Sequence, residues 1–545
     1  MNLLHPLLNA ALLIALGAFL AACQTSQSSS GTASTDQITL IIVNDTYRAD
    51  NFPYLRTLRT DLEKTDGQVL VLHAGDMLYP SLQSRIFDGK QMVNALNRLD
   101  GDADAQDPFL FFTFGNHEFD KDKLKDAAKL QARINESQFR WLGSNIQFKR
   151  DSAGQPLIKA EQVVQSALIT VNGTKVGLVS ATTDVKNAEY IERFLPPVDT
   201  VRQITRSLRA QGAQLVIGVT HQTVSEDIAL LQALGNDAPD FIAGGHEHER
   251  KHEVVNGRHL VKADSDAASA AVVRLALRDG KPLTDVRYVT LPGDVAPSPA
   301  LLHSIEAMNQ AFDREYCAQY YSAQPNCLSE KIGKTNVELV GEELTIRRFE
   351  TNLGNYLADT ARATYAAEGA QIAFLNSGGM RLNYNLPAGD ITLFPIDTLI
   401  AYPTPLALIR ISGKQLQDVV NHAITDWTGN GHWLQISGFA FRHDPEHNTA
   451  DQLSLITPSG LRPIQPDEVL LAVTSDFLLN LDNNNDQDGY TMLGPSMVVD
   501  DSRQRPELKK VLINTLKENR KAGITPAVQG RICNLQISKP CALFK

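Results

Sequence analysis

A chain of 545 residues is too long for a single hydrophobic core, so two folded domains are expected. Its hydrophobic fraction of 43% and charged fraction of 21% are those of an ordinary soluble globular protein. The formal net charge of -11 comes without a long basic run, which argues against a nucleic acid polymer as partner, because binding to a phosphate backbone needs clustered Lys and Arg. A small phosphate ester remains compatible, since bound cations can dominate the local field.

The first 22 residues have the features of a targeting segment. Their apolar stretch LLIALGAFL is too short to span a bilayer as a mature helix. It leads into the sequence LAAC, which resembles the lipobox of bacterial lipoproteins and implies cleavage before Cys23 and lipidation of that residue. An ordinary secretory peptide and an uncleaved anchor are the alternatives, and residues 2–11 depart from the pattern because they hold no Lys or Arg. Residues 23–36 predict a flexible tether to a membrane surface outside the cytoplasm.

From about residue 38 to about residue 290, apolar strands alternate with helical stretches, as in βαβ units of an α/β fold. Continuous apolar runs are typical of buried parallel strands, and functional groups lie beyond the carboxyl ends of such strands. We therefore expect the residues that end these runs to meet at one edge of a sheet. Five runs end on residue types that bind metal ions: IIVND at Asp45, VLHAGD at Asp76, FFTFGNHEFD with Asn116 and His117, VIGVTH at His221, and FIAGGHEH at His246 and His248.

These side chains can hold two divalent metal ions, with the Asp76 carboxylate bridging them. A mixture of imidazole, carboxylate and one amide suits Zn, Mn or Fe(II) rather than Mg or Ca. Two such ions clamp the attacking and leaving oxygens of an in-line displacement and lower the pKa of a bridging water, which predicts a phosphoryl group or a similar tetrahedral oxyanion as the reacting centre. The expected division of the other ligands is Asp45 and His248 on the first ion, and Asn116, His221 and His246 on the second.

His117 is the candidate for a catalytic group that does not bind metal. Neighbouring residues at a strand end point in different directions, so Asn116 can face the ions while His117 faces the substrate. Asp120 lies three residues further on and would orient the imidazole and keep it charged if a helix begins here. The alternative is that His117 is a further metal ligand or a packed ring. His73, inside an apolar run, is expected to be a core residue without a role.

The first motif is irregular, because Tyr47 stands where a His two residues after Asp45 would be expected. A phenol is neutral near pH 7 and is a poor ligand for Zn or Mn. We therefore expect Asp45, Asp76 and His248 to hold the first ion, with water completing its shell. This ion should bind more weakly than the second.

The sequence changes character after residue 290. The stretch LPGDVAPSPA is rich in Pro and Gly, ALLHSIEAMNQAFDREY predicts a linker helix, and mixed strands and helices follow. The predicted organisation is a first domain over residues 37–295, a linker over 296–330 and a second domain over 331–545. Residues 482–488 are interpreted as a solvated turn rather than a calcium loop, because Gln487 stands where such a loop needs Gly.

Apart from Cys23, the chain has four cysteines, which allow three pairings. Sequence proximity favours the disulfides Cys317–Cys327 and Cys533–Cys541, which agree with export to an oxidising compartment. Zinc binding by these four residues is the weaker alternative, since neither pair has the two-residue spacing of a zinc knuckle.

The motifs NDTY, AGD, FGNHEFD, TH and GGHEH resemble those of the calcineurin-like metallophosphoesterase superfamily. In the second half, RRFETNLGNYLAD, NSGGMR, PAGDIT, ISGKQL and DGY extend the likeness to the two-domain 5'-nucleotidase family over the whole exported part. The resemblance implies a four-layer β-sandwich of sheets flanked by helices, followed by an α/β nucleotidase-type domain. It also implies hydrolysis of nucleotide phosphate esters by in-line attack of a hydroxide that bridges two metal ions.

The resemblance further implies that the second domain binds the substrate. Arg347 and Arg381 match arginines that contact it, and a planar guanidinium suits an oxyanion. Tyr402 and Phe477 match two rings that sandwich a nucleobase, with core packing as the alternative for both rings. Asp488 begins the matching DGY motif and is included among the candidate substrate-binding residues.

Three departures concern the base pocket. Thr404 stands where family members commonly have Asn, and Asp486 and Gln487 replace two glycines before the DGY motif. The segment before that motif is also longer than usual. A preference for adenosine therefore does not follow from the resemblance.

Other functions stay open. A thiosulfohydrolase-like enzyme and a cyclic-phosphodiester hydrolase share the architecture. The missing His at the first ion allows a non-catalytic surface lipoprotein that binds nucleotides, although retention of the other ligands argues against a decayed site. Residues 75–79 (GDMLY) resemble the second motif of the purple acid phosphatases, in which a phenolate binds Fe(III), but the nucleotidase-type second half makes this the lesser reading.

Overall fold

The computed structural model describes residues 37–545 except 160, 184–187, 279–280, 294, 323, 426, 428, 482–486, 500–503, 538–540, 542 and 545. The expected targeting segment, the tether, Cys23 and most of the turn at 482–488 lie outside the described residues. Among the described helices, none combines the length and the apolar character that crossing a bilayer requires. The chain divides into two compact units: unit 1 within Met1–Met77 and Met92–Leu302, and unit 2 within Leu78–Gln91 and His303–Lys545.

Unit 1 is built on two large sheets. Its strands are β1 (Gln37–Val43), β2 (Val69–His73), β3 (Leu110–Thr113), β4 (Arg140–Leu142), β5 (Ile146–Phe148), β6 (Val163–Val164), β7 (Ser166–Val171), β8 (Thr174–Thr182), β9 (Ile191–Phe194), β10 (Leu215–His221), β11 (Phe241–Gly244), β12 (Lys251–Val255), β13 (Arg258–Lys262), β14 (Ser269–Arg278) and β15 (Lys281–Thr290). The first sheet has the order β15-β14-β1-β2-β3-β4-β6, and the second has the order β12-β13-β11-β10-β8-β7. A small third sheet pairs β5 with β9.

The helices outside the C-terminal part of the chain are α1 (Phe52–Asp66), α2 (Ser84–Phe87), α3 (Lys90–Leu96), α4 (Ala127–Glu136), α5 (Pro197–Ala210) and α6 (Val224–Leu234). In unit 1, Leu40 and Leu72 of the first sheet pack with Leu178 and Ile217 of the second sheet in one buried cluster. Helices α5 and α6 cover the outer face of the second sheet, and α1 packs against β1 and β2. The four-layer sandwich implied by the resemblance is therefore confirmed.

The five strands that carry the predicted ligands do not belong to one sheet. Strands β1, β2 and β3 are parallel neighbours in the first sheet, whereas β10 and β11 are parallel neighbours in the second. The expectation of a single sheet edge is wrong, because the ligands come from the carboxyl ends of strands in two packed sheets. Apart from Gln37 at the start of β1, every residue of these strands is buried, which explains the apolar runs.

Unit 2 is a mixed α/β structure. Its strands are β16 (Lys331–Thr335), β17 (Ile372–Asn376), β18 (Gly389–Thr392), β19 (Leu406–Ser412), β20 (Leu434–Ser437), β21 (Phe439–Asp444), β22 (Thr449–Thr457), β23 (Gly460–Pro463), β24 (Val469–Ser475) and β25 (Ile532–Asn534). The remaining helices are α7 (Pro299–Tyr320), α8 (Glu343–Ile346), α9 (Asn352–Ala363), α10 (Leu393–Leu399), α11 (Gly413–Ile424) and α12 (Leu508–Glu518). The sheets have the orders β19-β24-β17-β20, β23-β22-β21-β25 and β16-β18.

The division between the units is not a single point along the chain. Helix α7 occupies the predicted linker, and the division after Leu302 falls within its first residues. Leu78–Gln91 also belongs to unit 2: Leu82 joins its hydrophobic core, and Gln83 Nε2 donates to Asn309 Oδ1 at 2.6 Å. The domain boundary predicted from the sequence, near residue 296, places Leu78–Gln91 in the first domain. No change in composition marks this segment in the sequence.

Two disulfides join Cys317 to Cys327 and Cys533 to Cys541. The pairing favoured by sequence proximity is confirmed. Zinc binding by these four residues is thereby excluded, because their thiols are consumed in the disulfides.

Candidate metal centre

The ligands predicted for the second ion meet in one buried group. His221 Nε2 lies 3.1 Å from Asp76 Oδ2 and 3.2 Å from Asn116 Oδ1. His246 Nδ1 lies 3.3 Å from the same His221 nitrogen. The other ring nitrogen of His221, Nδ1, lies 2.7 Å from the carbonyl oxygen of Ala74. When Nδ1–H donates a hydrogen bond to this carbonyl, the lone pair of Nε2 is available to coordinate a metal ion.

The ligands predicted for the first ion form an adjoining group that includes Tyr47. His248 Nε2 lies 3.2 Å from Asp45 Oδ1, and the Asp45 side chain is completely buried. The Tyr47 hydroxyl lies 3.0 Å from His248 Nε2 and 3.3 Å from Asp76 Oδ2, on a side chain that is only 5% exposed. Tyr47 therefore sits inside the cluster, at the place of the missing His.

The backbone at four of these ligands is strained. Asp45, Asp76, His246 and His248 have φ angles of 52°, 60°, 94° and 60°, in the left-handed region that non-glycine residues rarely adopt. Such a conformation costs about 1–3 kcal/mol and is typical of functional sites, where the surrounding structure holds it.

Glu118, which the sequence patterns did not single out, organises the loops around Asp76. Its buried carboxylate accepts hydrogen bonds from the backbone N–H groups of Gly115, Asp76 and Met77 at 2.6, 2.9 and 2.8 Å. A Cβ at Gly115 would lie 2.1 Å from Asp76 Oδ1, so only glycine lets the two strand ends approach this closely. The available signal was the position of Glu118 inside the FGNHEFD motif.

Asn44 is a second supporting residue that went unnoticed in the sequence. Its amide nitrogen donates to Asp45 Oδ2 at 2.8 Å, and its amide oxygen accepts from the backbone N–H of Ala263 at 2.8 Å. The backbone N–H of His246 donates to the same Asp45 oxygen at 2.8 Å. These bonds fix the first-motif carboxylate against the ends of two strands of the second sheet.

The charges of the cluster depend on one another. Burial alone would raise the pKa of Asp45 and of Asp76, but His248 beside Asp45 and His221 beside Asp76 hold both values below the usual range. Burial would lower the pKa of His221, but the two carboxylates raise it to about 9. Burial and the neighbouring His221 lower the pKa of His246 to about 4.

These properties fit divalent metal ions. Donor atoms of Asp45, Asp76 and His221 all lie within 4.8 Å of one another, and all three residues are buried. A cation would take the place of the proton that the two carboxylates stabilise on His221, because metal binding releases protons from its ligands. Asp45 Oδ1, which lies 3.2 Å from His248 Nε2, offers the cation a further ligand atom.

His117 and Asp120 are paired as the sequence predicted. A short 3-10 helix at His117–Phe119 brings His117 Nδ1 to 3.0 Å from both carboxylate oxygens of Asp120. The His117 side chain is 21% exposed, whereas that of His221 is 0% exposed, so His117 lies at the accessible side of the cluster. Asp120 contacts Nδ1 of the ring, and Nε2 lies on the opposite side of the imidazole.

His73 has the structural character that was expected of it. It is fully buried, its ring centroid lies 4.8 Å from that of Phe112, and its Nε2 lies 2.6 Å from Thr46 Oγ1. Burial lowers the pKa of His73 to about 3, which keeps the ring neutral.

In unit 2, the two aromatic candidates differ in exposure. Tyr402 is 43% exposed, and the Arg85 guanidinium carbon lies 5.6 Å from its ring centroid, as in a cation–π pair. Phe477 begins a short 3-10 helix and is half-buried against a hydrophobic core cluster. Their loops adjoin, since the backbone N–H of Asp476 donates to Pro405 O at 2.9 Å.

The polar candidates of unit 2 lie on loops at the ends of its elements. Asp488 accepts a hydrogen bond from Asn376 Nδ2 at 2.6 Å, and Gln487 and Asp488 both have positive φ angles, of 58° and 47°. Arg347 is largely buried and pairs with Glu343 at 2.8 Å, while Arg381 is half-buried. Gln487 therefore adopts the left-handed backbone conformation that glycine adopts without strain.

The position of Tyr47 leads to a prediction about metal affinity. Tyr47→His is expected to tighten binding of the weaker of two Mn or Zn ions by about tenfold or more, because imidazole supplies a nitrogen ligand that a neutral phenol does not. The measurement is a calorimetric titration of the metal-free protein. Tyr47→Phe is the matched control, which removes the hydroxyl without adding a ligand and should not tighten binding. Equal affinities in Tyr47→His and the wild type would contradict the prediction.

Comparison with known proteins agrees with this geometry. The family model described as calcineurin-like phosphoesterase matches residues 38–250, and the model described as 5'-nucleotidase, C-terminal domain matches residues 331–494. A 5'-nucleotidase of Vibrio cholerae is 24% identical over 490 residues, which cover 80% of this chain and 84% of that protein. A trifunctional nucleotide phosphoesterase of Bacillus subtilis is 25% identical over 486 residues, which cover 81% of this chain but 32% of that longer protein.

Solved structures share the fold. A 5'-nucleotidase precursor from Thermus thermophilus superposes with a TM-score of 0.70 at 20% identity, covering 92% of this chain and 100% of the other. A sulfate thiohydrolase from the same organism superposes with a TM-score of 0.64 at 17% identity, covering 89% and 83%. With a family model matched in each half and the buried Asp, Asn and His cluster at the strand ends, the chain belongs to the 5'-nucleotidase family of calcineurin-like metallophosphoesterases, enzymes that depend on divalent metal ions.

Proposed function

We propose that the protein hydrolyses phosphate esters of nucleotides, as 5'-nucleotidases and UDP-sugar hydrolases do. The observation that carries this proposal is the buried ligand cluster with the His117–Asp120 pair beside it, in a chain whose second half has the 5'-nucleotidase motifs. The names of the Vibrio and Bacillus relatives point to nucleotide substrates as well.

Two ions, Zn or Mn, are proposed for the centre, because imidazole and carboxylate donors suit these metals. Bound there, the ions would act as Lewis acids toward the phosphoryl oxygens and lower the pKa of a bound water. The proposed ligands are Asp45, Asp76 and His248 for the first ion, and Asp76, Asn116, His221 and His246 for the second.

His117 is proposed as the general acid that acts on the leaving group. Its Nδ1 is held by Asp120, so the ring keeps one orientation and presents Nε2 to the substrate. A proton on Nε2 can neutralise the charge that develops on the leaving oxygen. Asp120 orients the imidazole for this role.

Substrate binding is proposed for the domain over residues 331–545, which a linker over 296–330 joins to the catalytic domain over 37–295. Arg347 and Arg381 would bind anionic oxygens of the nucleotide. Tyr402 and Phe477 would stack on the base, and the exposure of Tyr402 supports this role over core packing. Asp488 would accept hydrogen bonds from substrate hydroxyls.

The test is phosphate release from a panel of AMP, UDP-glucose, a cyclic nucleotide and bis-p-nitrophenyl phosphate, each with Mn, Zn, Mg or Co and with EDTA. Turnover of AMP or UDP-glucose that EDTA abolishes supports the proposal. Turnover of the diesters alone would reassign the enzyme as a diester hydrolase, and a parallel assay for sulfate release addresses the thiohydrolase alternative. Metal-dependent turnover of no phosphate ester would defeat the proposal.

We also propose that the protein acts outside the cytoplasm, anchored to a membrane through lipidated Cys23. The two disulfides support an oxidising location. Cys23→Ser is expected to release the protein from the membrane fraction and abolish incorporation of labelled fatty acid. An unlabelled wild type would rule out the lipid anchor.

A further inference from the structure

A buried charge with no part in the proposed chemistry lies beside the metal centre. Lys262, the last residue of β13, is 0% exposed. Its ammonium donates to the carbonyl oxygens of Gln222 and Gly245 at 2.6 and 2.8 Å, and to Glu247 Oε2 at 2.6 Å. Asp227 Oδ2 lies 3.0 Å away as a second carboxylate partner. All three N–H donors of the ammonium are therefore used.

Three of these four partners, all except Asp227, are direct sequence neighbours of a predicted histidine ligand. One ammonium thus ties together the chain after β10 and the chain after β11, the two strands of the second sheet that carry histidine ligands. The pairs of neighbours are Gln222 after His221, Gly245 before His246, and Glu247 between His246 and His248.

A glycine on the neighbouring strand makes room for the Lys262 side chain. Lys262 is paired with Gly244 across the parallel strands β11 and β13, and a Cβ at Gly244 would lie 2.7 Å from Lys262 Cε. The lysine stem therefore crosses the end of β11 where no larger residue fits. Glu247 also accepts a hydrogen bond from the backbone N–H of Val224, which links the same network to the start of helix α6.

Stability does not account for this lysine. Removing a charge from water is costly, and replacing a buried ion pair with apolar residues is often neutral or stabilising. Burial would lower the pKa of Lys262, but Asp227 and Glu247 raise it above the usual value, so the ammonium keeps its three donors. What the lysine provides is a defined backbone position at both ligand-bearing strand ends.

We propose that Lys262 is a positioning residue of the metal centre, which orients His221, His246 and His248 through their backbone neighbours and so sets the affinity for divalent ions. The inference rests on the metal roles proposed for these histidines, but not on the substrate. Its effect should be largest on the second ion, which takes both His221 and His246.

The test replaces Lys262 by methionine, which keeps the length of the side chain and removes the three donors. The affinity of the metal-free protein for Zn or Mn is expected to fall by about 10–100-fold, the usual effect of losing a residue that orients metal ligands. Affinity is measured by calorimetric titration, below the melting temperature of every variant. This readout does not require the substrate to be known.

Two further variants separate positioning from stability. Lys262→Met leaves the fully buried Asp227 unpaired, so Lys262→Met/Asp227→Asn is expected to recover stability while metal affinity stays low. Arg59→Met is the matched control. Arg59 on α1 and Asp107 before β3 form another buried ion pair in unit 1. Loss of this ion pair should lower the melting temperature but leave metal affinity unchanged.

The possible outcomes are distinct. Wild-type metal affinity in the folded double variant would overturn the proposal, as would an equal loss of affinity in Arg59→Met. A wild-type protein that binds no divalent ion would instead defeat the metal centre itself, and with it the proposed function.

Discussion

Replacing His117 by alanine is expected to lower kcat by about 10²–10⁴-fold, the usual contribution of a general acid or base. The metal content should stay at the wild-type level, because His117 Nδ1 is engaged by Asp120 and the ring lies at the accessible side of the ligand cluster. The measurements are steady-state kinetics on the best substrate of the panel and elemental analysis of the purified variant.

Two controls accompany this prediction. Asp120→Asn keeps the shape of the pair but removes the charge that orients the imidazole, so it should lower kcat less than His117→Ala does. His252→Ala removes an exposed histidine on the β12–β13 hairpin and should leave kcat unchanged. If the metal content fell together with activity in His117→Ala, the residue would be a metal ligand, and the catalytic role would be withdrawn.

Asp76→Asn is expected to remove most metal binding and to lower kcat by at least about 10³-fold. The Asp76 carboxylate lies between the two ligand groups, 3.1 Å from His221 Nε2 and 3.3 Å from the Tyr47 hydroxyl, and its charge is needed to balance the cations. Loss of the ions removes several kcal/mol of transition-state stabilisation, and about 1.4 kcal/mol corresponds to a factor of ten.

Asp66→Asn is the matched control for this variant. Asp66 lies before β2, whereas Asp76 follows the same strand, and Asp66 pairs with Arg274 at 2.8 Å away from the cluster. This variant should keep its metal ions and its activity. Full metal occupancy in a folded Asp76→Asn protein would contradict the bridging role assigned to this carboxylate.

Local patterns were sufficient to identify the proposed ligands that the structure brings together. The five strands are buried on both faces, so their sequences are largely apolar, and polar residues at or just beyond the last apolar residue mark each strand end. Asp45 and Asp76 could be recognised in this way, as could His221 at the last position of β10. The His117–Asp120 pair was also predictable, because the two residues are three positions apart and need only a helical turn to meet.

Contacts between distant segments could not be found in this way. Glu118 binds the N–H groups of Gly115, Asp76 and Met77 because two loops approach closely. Its place in the FGNHEFD motif marks it as part of the site, but only the packing of the two loops brings it to Asp76 and Met77. Lys262 reaches the chain beyond β10 because β13 is added next to β11, which in turn pairs with β10. The order of strands in a sheet is set by long-range pairing, and the periodicity of a single strand does not contain it.

The amino-acid sequence by itself determined the α/β class of the catalytic half, the residue types of the predicted ligand set and the resemblance to 5'-nucleotidases, and it favoured the disulfide pairing. These properties follow from burial patterns, short motifs and spacing along one segment. The tertiary structure decided that the ligands come from two sheets, that Leu78–Gln91 belongs to unit 2, and that the Tyr47 hydroxyl lies within the cluster beside His248. The physical reason is that strand ends far apart in the chain meet only through sheet pairing and packing between sheets.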